Sequence, residues 1–367
     1  MNSIEKTIVM RVLFVILGLA ITSGLIALVT VLNTDASYPV PLEPNAEGLA
    51  AAEELPLEVS EMPEDAYMPV RITFGGICTT GSMLGSDSYG TFNELLAAES
   101  PAYFLEPLND VFLRDDLTVS VCDTVLSDAE ELAPASRTTL EWYRGPAEAA
   151  RVFADGGVDV LSLHSYHTWD YGEAGYADTR TALENAGLDW CDHGKAVYHE
   201  QEGISAALYC RYVDDENDAE AVRAWLADEM NYDFVAVYIV TPPTGSYLPD
   251  ESRQAMFRSF AEAGADLVVG TDTEQIQPCE TWGDSKIVYS IGALLDGKNK
   301  YPDPYTLVLG AELQVIDGEL QGVDYTLIPC RTYDDDCAWR PHPLDDPEEI
   351  RTVFEFLSGV RDTPRPD

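Results

Sequence analysis

Residues 156–179 read GGVDVLSLHSYHTWDYGEAGYADT. The stretch opens with an apolar run over 158–163, of the length and β-branched character of a buried strand. It then breaks into His164, Ser165, Tyr166, His167, Thr168, Trp169 and Asp170. Tyr171-Gly172 leads into a helical pattern from Glu173, in which Ala174, Ala177, Leu183 and Ala186 recur at roughly helical spacing. A strand that delivers His and Asp into a loop ahead of a helix is where α/β sheets place their chemistry.

Outward from this turn the same alternation continues. Strands are expected over 70–74, 117–121, 206–209, 234–240 and 265–269, and helices over 173–186, 219–228, 254–263 and 348–357. Strands and helices in turn at this spacing predict an α/β sheet with helices on its outer faces.

The N-terminus is different. Lys6 and Arg11 precede an uncharged apolar run over 12–32, whose 21 residues reach roughly 30 Å as a helix, the thickness of a bilayer core. A cleavable leader has an apolar core of only about 7–15 residues, so the run reads as an uncleaved signal-anchor despite a weak cleavage site at Thr34-Asp35-Ala36. The basic residues stay inside, making 1–11 a cytoplasmic tail and placing the rest of the chain outside the cell membrane. Residues 33–69, rich in Pro and Glu without apolar periodicity, form an extended tether, and 70–367 the folded extracellular domain.

The chain carries 65 acidic against 21 basic residues, a formal net charge of -44 over 367 residues. Such a surface repels the nucleic-acid backbone and excludes that class of partner. Seven cysteines are an odd count, and none sits in the spacing of a structural zinc site.

The central stretch resembles the loop of the poly-γ-glutamate capsule-synthesis family (the CapA type), which reads approximately DVVSLANNHALDYGxxGLxDT. The frame is kept here as Asp159-Val160-Leu161-Ser162-Leu163, His167, Asp170-Tyr171-Gly172, Gly175 and Asp178-Thr179. Residues 142–146, the Tyr289-Ser290-Ile291-Gly292-Ala293-Leu294 segment and the C-terminal helix follow the family's order. The resemblance covers about 70–359. It implies a metallophosphatase-like layered sandwich of central β-sheets flanked by helices, and a role in making or exporting an envelope polymer.

It also implies a metal centre that this chain has not kept. The family's ligand Asp after the first strand is Gly76, an Asn is Val121, the Asn-Asn pair is Ser165-Tyr166, and a His-Trp-Gly is replaced after Val240 by Thr241-Pro242-Pro243. A His-Pro-His has become Asp272-Thr273-Glu274. No histidine stands at the three family ligand positions. Asp123, Asp272 and Glu274 remain as a hard, oxygen-only set, suited to calcium, magnesium or manganese if to any cation. His167 stands where the family's non-ligand histidine protonates a leaving group, and otherwise holds the loop by a hydrogen bond. His164 and His167, with His193 and His199, offer a separate metal reading.

Cys78 and Cys122 fall on strands that the family fold pairs side by side, which suggests a disulfide; two buried thiols acting as small hydrophobes are the rival. Cys330–Cys337 and Cys191–Cys210 are further expected pairs, leaving Cys279 odd. Two functions follow. One is a membrane-anchored binding or assembly subunit that has lost its metal centre, working with other capsule-synthesis membrane subunits or the polymer. The other is a metal-dependent hydrolase of phosphoester or γ-glutamyl bonds. A tethered solute receptor would need a two-lobed repeat that the sequence does not show.

Overall fold

A computed structural model describes residues 68–85, 90–135, 141–229, 231–271, 274–298, 302–333 and 338–366. The expected cytoplasmic tail, signal-anchor and nearly all of the tether lie outside these residues, as do Asp272 and Cys337. Among the described residues no helix is long and apolar enough to cross a membrane.

The described strands form two large sheets and a small one. The first has eight strands: His342–Pro343, Glu319–Arg331, Tyr305–Ile316, Met68–Thr79, Leu117–Cys122, Val160–Ser162 and Asp189–Cys191 in spatial order, with Ala293–Asp296 paired to the end of Met68–Thr79. The second has six, in the order Ile276–Trp282, Ser285–Ile291, Leu267–Thr271, Phe234–Val240, Ile204–Tyr212 and Val197–Gln201. Most parallel neighbours are joined through helices, because a parallel crossover needs a long connection; Ala293–Asp296 beside Met68–Thr79 and Ser285–Ile291 beside Leu267–Thr271 are parallel without one.

Side-chain alternation sorts these strands into four layers. In Phe234–Val240, whose seven residues are all buried, Phe234, Ala236, Tyr238 and Val240 face the space between the two sheets. Val235, Val237 and Ile239 face outward, onto the helices Glu216–Asp228 and Glu251–Glu262. The run is apolar throughout because both its faces are covered. Phe74 of the first sheet meets Tyr238 of the second edge to face at 5.7 Å, and the Tyr238 hydroxyl donates to the Gly75 carbonyl. The far side of the first sheet packs against Ala150–Asp155 and Gly172–Ala186. The layered α/β architecture expected from the sequence is therefore present.

Boundaries moved in places. The first strand runs from Met68 to Thr79, through Gly75-Gly76 rather than ending before them. The long hairpin Tyr305–Ile316 and Glu319–Arg331 was not anticipated as such; Asp317 and Gly318 close it with φ of 53° and 80°, the paired positive values of a tight two-residue turn.

The cysteine expectations need correction. Cys78 and Cys122 do occupy paired positions on neighbouring strands, but both are free thiols. The Cys78 thiol turns to the Gly76 carbonyl at 3.5 Å and that of Cys122 to the Thr124 carbonyl at 3.4 Å, and both pack as small apolar groups in the outer core. Cys191 and Cys210 meet across the two sheets, also as free thiols, and the Cys210 thiol followed by burial pushes the Cys191 thiol up. Cys279 and Cys330 are free as well, the former donating to the Leu357 carbonyl at 3.5 Å.

Candidate functional site

The central turn folds around Asp170. Its carboxylate is fully buried, accepts the Tyr143 backbone N–H at 2.6 Å, and lies 3.0 Å from His167 Nδ1. A carboxylate only accepts, so Nδ1 carries a proton and the ring is held in one orientation. The edges of Tyr143 and Tyr166 close on the imidazole at 4.6 and 5.1 Å. His167 thus has an oriented ring, and its backbone N–H points to a second carboxylate, Asp123 Oδ1, at 3.1 Å.

Asp123 ends the strand Leu117–Cys122 and is 1% exposed. Its Oδ1 also accepts the Ser165 hydroxyl, and its Oδ2 accepts from Thr79 Oγ1 at 3.2 Å. A buried carboxylate with only neutral donors is costly, and a cation balances it here. That cation is Lys298. Its Nζ lies 2.7 Å from Glu274 Oε1, 3.6 Å from Asp123 Oδ2 and 4.0 Å from Asp296 Oδ1. Burial works against the ammonium, but the three carboxylates together outweigh it and hold the lysine above its ordinary range. Asp296 is pushed up to about 6 by burial, with Lys298 opposing and Glu274 and Asp123 adding to the rise.

The structure brings together two of the three carboxylates named from the sequence. Asp123 and Glu274 do come together, and a side-chain ammonium stands between them; Asp272 lies outside the described residues. Lys298 and Asp296 were missed from the sequence. Their signal was present: a lysine two residues beyond an acid, directly after the 289–294 segment, in a chain short of basic residues.

The other family ligand positions are closed. A Cβ on Gly76 would lie 2.3 Å from the Gly292 carbonyl oxygen and 2.9 Å from the Leu294 nitrogen. No side chain fits there, because Ala293–Asp296 pairs with the first strand at that point and Ile77 N–H donates to the Gly292 carbonyl at 3.2 Å. Gly292 itself turns with φ of 76°. Val121 and Val240 are completely buried core residues, and Tyr166 is turned outward at 40% exposure.

The histidines other than His167 make their contacts elsewhere. His164 Nδ1 accepts the Tyr212 N–H at 3.2 Å, and its Nε2 meets His193 Nδ1, the two rings 3.8 Å apart. Burial first, then the neighbouring His193 and Arg211, lower His164 from 6.5 to about 3; burial and Arg211 lower His193 too. His199 pairs with Gln201 on the edge strand. Among the described residues no three His, Cys, Asp or Glu side chains are disposed to hold a metal. The dinuclear centre implied by the family does not fit this donor set.

A profile described as "Bacterial capsule synthesis protein PGA_cap" matches residues 76–206 and 192–298, more than half of the 367-residue chain. The chain belongs to this capsule-synthesis family. Its layered α/β core is the metallophosphatase-like fold expected of that family. It is similar to the capsule biosynthesis protein CapA of Bacillus anthracis, 24% identical over 176 residues, which are 40% of this chain and 42% of that relative. The match thus spans less than half the length of the curated relative. The crystal structure of TT1561 of Thermus thermophilus is similar over 66% of this chain and 94% of that one, at 10% identity and a TM-score of 0.37, too loose to carry an argument.

Two outcomes follow. Gly76→Asp, which restores the family's ligand in sequence, should lower the melting temperature and leave the chain without stoichiometric manganese; a stable, metal-loaded variant would show that the pairing with 293–296 gives way. His164 and His193 titrate below their free value, so the unfolded chain takes up protons first as pH falls. Their stabilisation is complete above about 6.5 and is lost from there toward about 3. The melting temperature of the wild type should therefore fall more steeply below pH 6.5 than that of His164→Asn, and parallel curves would contradict the assignment.

Proposed function

We propose that this chain is a membrane-anchored member of the capsule-synthesis family that binds or assembles an envelope polymer of the poly-γ-glutamate type, without metal-dependent hydrolysis. The observation that carries this reading is Lys298, whose ammonium takes the place of a cation among Asp123, Glu274 and Asp296. A fixed ammonium supplies charge balance but has no exchangeable coordination position, and so cannot activate water as a metal does. The closed ligand position at Gly76 supports the same reading.

The apolar run over 12–32 supports a single-pass anchor with residues 70–367 on the outer side of the cell membrane, where other capsule-synthesis membrane subunits or the polymer are its partners. One observation favours the runner-up. The His167–Asp170 pair is oriented as a general acid or base needs to be. A metal-dependent hydrolase of phosphoester or γ-glutamyl bonds would use that pair with a divalent cation at Asp123 and Glu274, displacing Lys298.

Metal content decides between them. The full-length chain, purified in detergent, should hold well under one metal per molecule by elemental analysis and take up neither calcium nor manganese on titration. Lys298→Met removes one partner of a buried ionic cluster and should cost about 3–5 kcal/mol of stability. Millimolar calcium or manganese should return part of that loss. Stoichiometric metal in the wild type, abolished by Asp123→Asn, would overturn the subunit reading.

A further inference from the structure

The third sheet is small, with Ser82–Met83, Tyr143–Gly145 and Val125–Leu126 in spatial order, and its first two strands wall a cavity of about 620 Å³. That volume lies within the roughly 300–1,000 Å³ of small-molecule sites. The cavity adjoins the central turn. Tyr143 closes on His167 and gives its backbone N–H to Asp170, while Arg144, next along the strand, lines the cavity. Tyr171, next after Asp170, lines it too and lies 5.7 Å below the Arg144 guanidinium.

Arg144 is the cation of this cavity. One of its Nη atoms donates to the Ala129 carbonyl at 3.1 Å. Arg211, Arg258, Arg331 and Arg340 each face a carboxylate, but among the described residues Arg144 pairs with none. A guanidinium held in place with N–H groups to spare fits a carboxylate. Two acids, Glu94 and Glu130, line the same cavity. Asn93 donates Nδ2 to the Arg144 carbonyl at 3.0 Å and keeps its buried Oδ1 without a donor among the described residues. Met83 and Leu84, 39% and 51% exposed, add an apolar flank.

These charges select an occupant. A ligand bearing only carboxylates meets Glu94 and Glu130, and one bearing only an ammonium meets Arg144. A head with both groups on one carbon satisfies both signs, and methylenes behind it cover Met83 and Leu84. A γ-linked glutamate chain has one such head. Linkage through the side-chain carboxyl leaves an α-carboxylate on every residue, but only the residue at the amino end also keeps its α-ammonium. We infer that this cavity binds the amino end of a γ-linked polyglutamate chain, with the α-carboxylate on Arg144 and the α-ammonium toward Glu94 and Glu130. This rests on the reading of the chain as a binder of that polymer, and it names the part of the polymer held. It also reconciles a polyanion with a chain of net charge -44: the end is gripped and the interior stays in solvent.

The test is calorimetric titration of the full-length chain in detergent, with EDTA present, using γ-linked tetraglutamate of each hand as probe. Saturable binding of one hand is expected, lost when the amino end of the probe is acetylated. The α-linked tetraglutamate, whose first α-carboxyl is tied up in a peptide bond, should bind about tenfold more weakly or worse. Arg144→Gln should weaken binding by a similar factor and Glu130→Gln by less. Arg144→Lys, which keeps the charge without the planar fork, should recover part of the loss. Acetylation alters the probe alone, so its effect is read on the wild type even where a variant fails to fold. Absence of binding, or binding indifferent to acetylation, overturns the inference. Free glutamate binding as tightly as the tetramer would assign the cavity to a free amino acid and overturn it as well. The two readings fail separately. Polymer bound equally by the wild type and a folded Arg144→Gln would remove the cavity and leave the subunit reading intact. Arg144-dependent binding, with cleavage of the γ-linkages once manganese replaces EDTA, would keep the cavity and remove the subunit reading.

Discussion

One ammonium group sets the terms for the functional end of this protein. Lys298 neutralises Asp123, which is buried and receives Thr79, Ser165 and the His167 backbone; Asp123 in turn fixes where the central turn begins. An ionic cluster of this kind is weak evidence of stability in itself, since desolvation offsets much of the attraction. Its consequence is specificity. With the lysine in place the charges are balanced, and without it the buried carboxylates of Asp123 and Asp296 would face the half-exposed Glu274 with no cation between them.

The backbone delivers the lysine by the same geometry that closes the site. Ser285–Ile291 belongs to the second sheet, Ala293–Asp296 to the first, and Gly292 makes the crossing with a left-handed turn. That crossing brings the Gly292 carbonyl against Gly76, where a ligand side chain would stand, and carries Asp296-Gly297-Lys298 to Asp123. The closed position at Gly76 and the ammonium beside Asp123 thus come from one crossing of the backbone.

Much of this was legible before the structure. The buried strands announce themselves by unbroken apolar runs, as in Phe234–Val240, and the central turn by its shift from apolar to His, Ser and Asp. Substitutions at Gly76, Val121 and Val240 could be read as losses because each replaces a polar group by one with no donor. Lys298 could not be placed, since its partners are 24 and 175 residues away at Glu274 and Asp123, and only the sheet-to-sheet crossing joins them. The disulfide between Cys78 and Cys122 failed for a related reason. Neighbouring positions on paired strands give proximity, but the direction of each thiol is set by its own carbonyl partner.

The central claim is that an ammonium, rather than a metal, sits between Asp123 and Glu274. Crystals of the protein grown with manganese, measured at an energy where manganese scatters anomalously, test it directly. The account predicts continuous side-chain density for Lys298 ending between the carboxylates and no anomalous peak within the cluster. An anomalous peak bridging Asp123 and Glu274, with Lys298 swung aside, would contradict it.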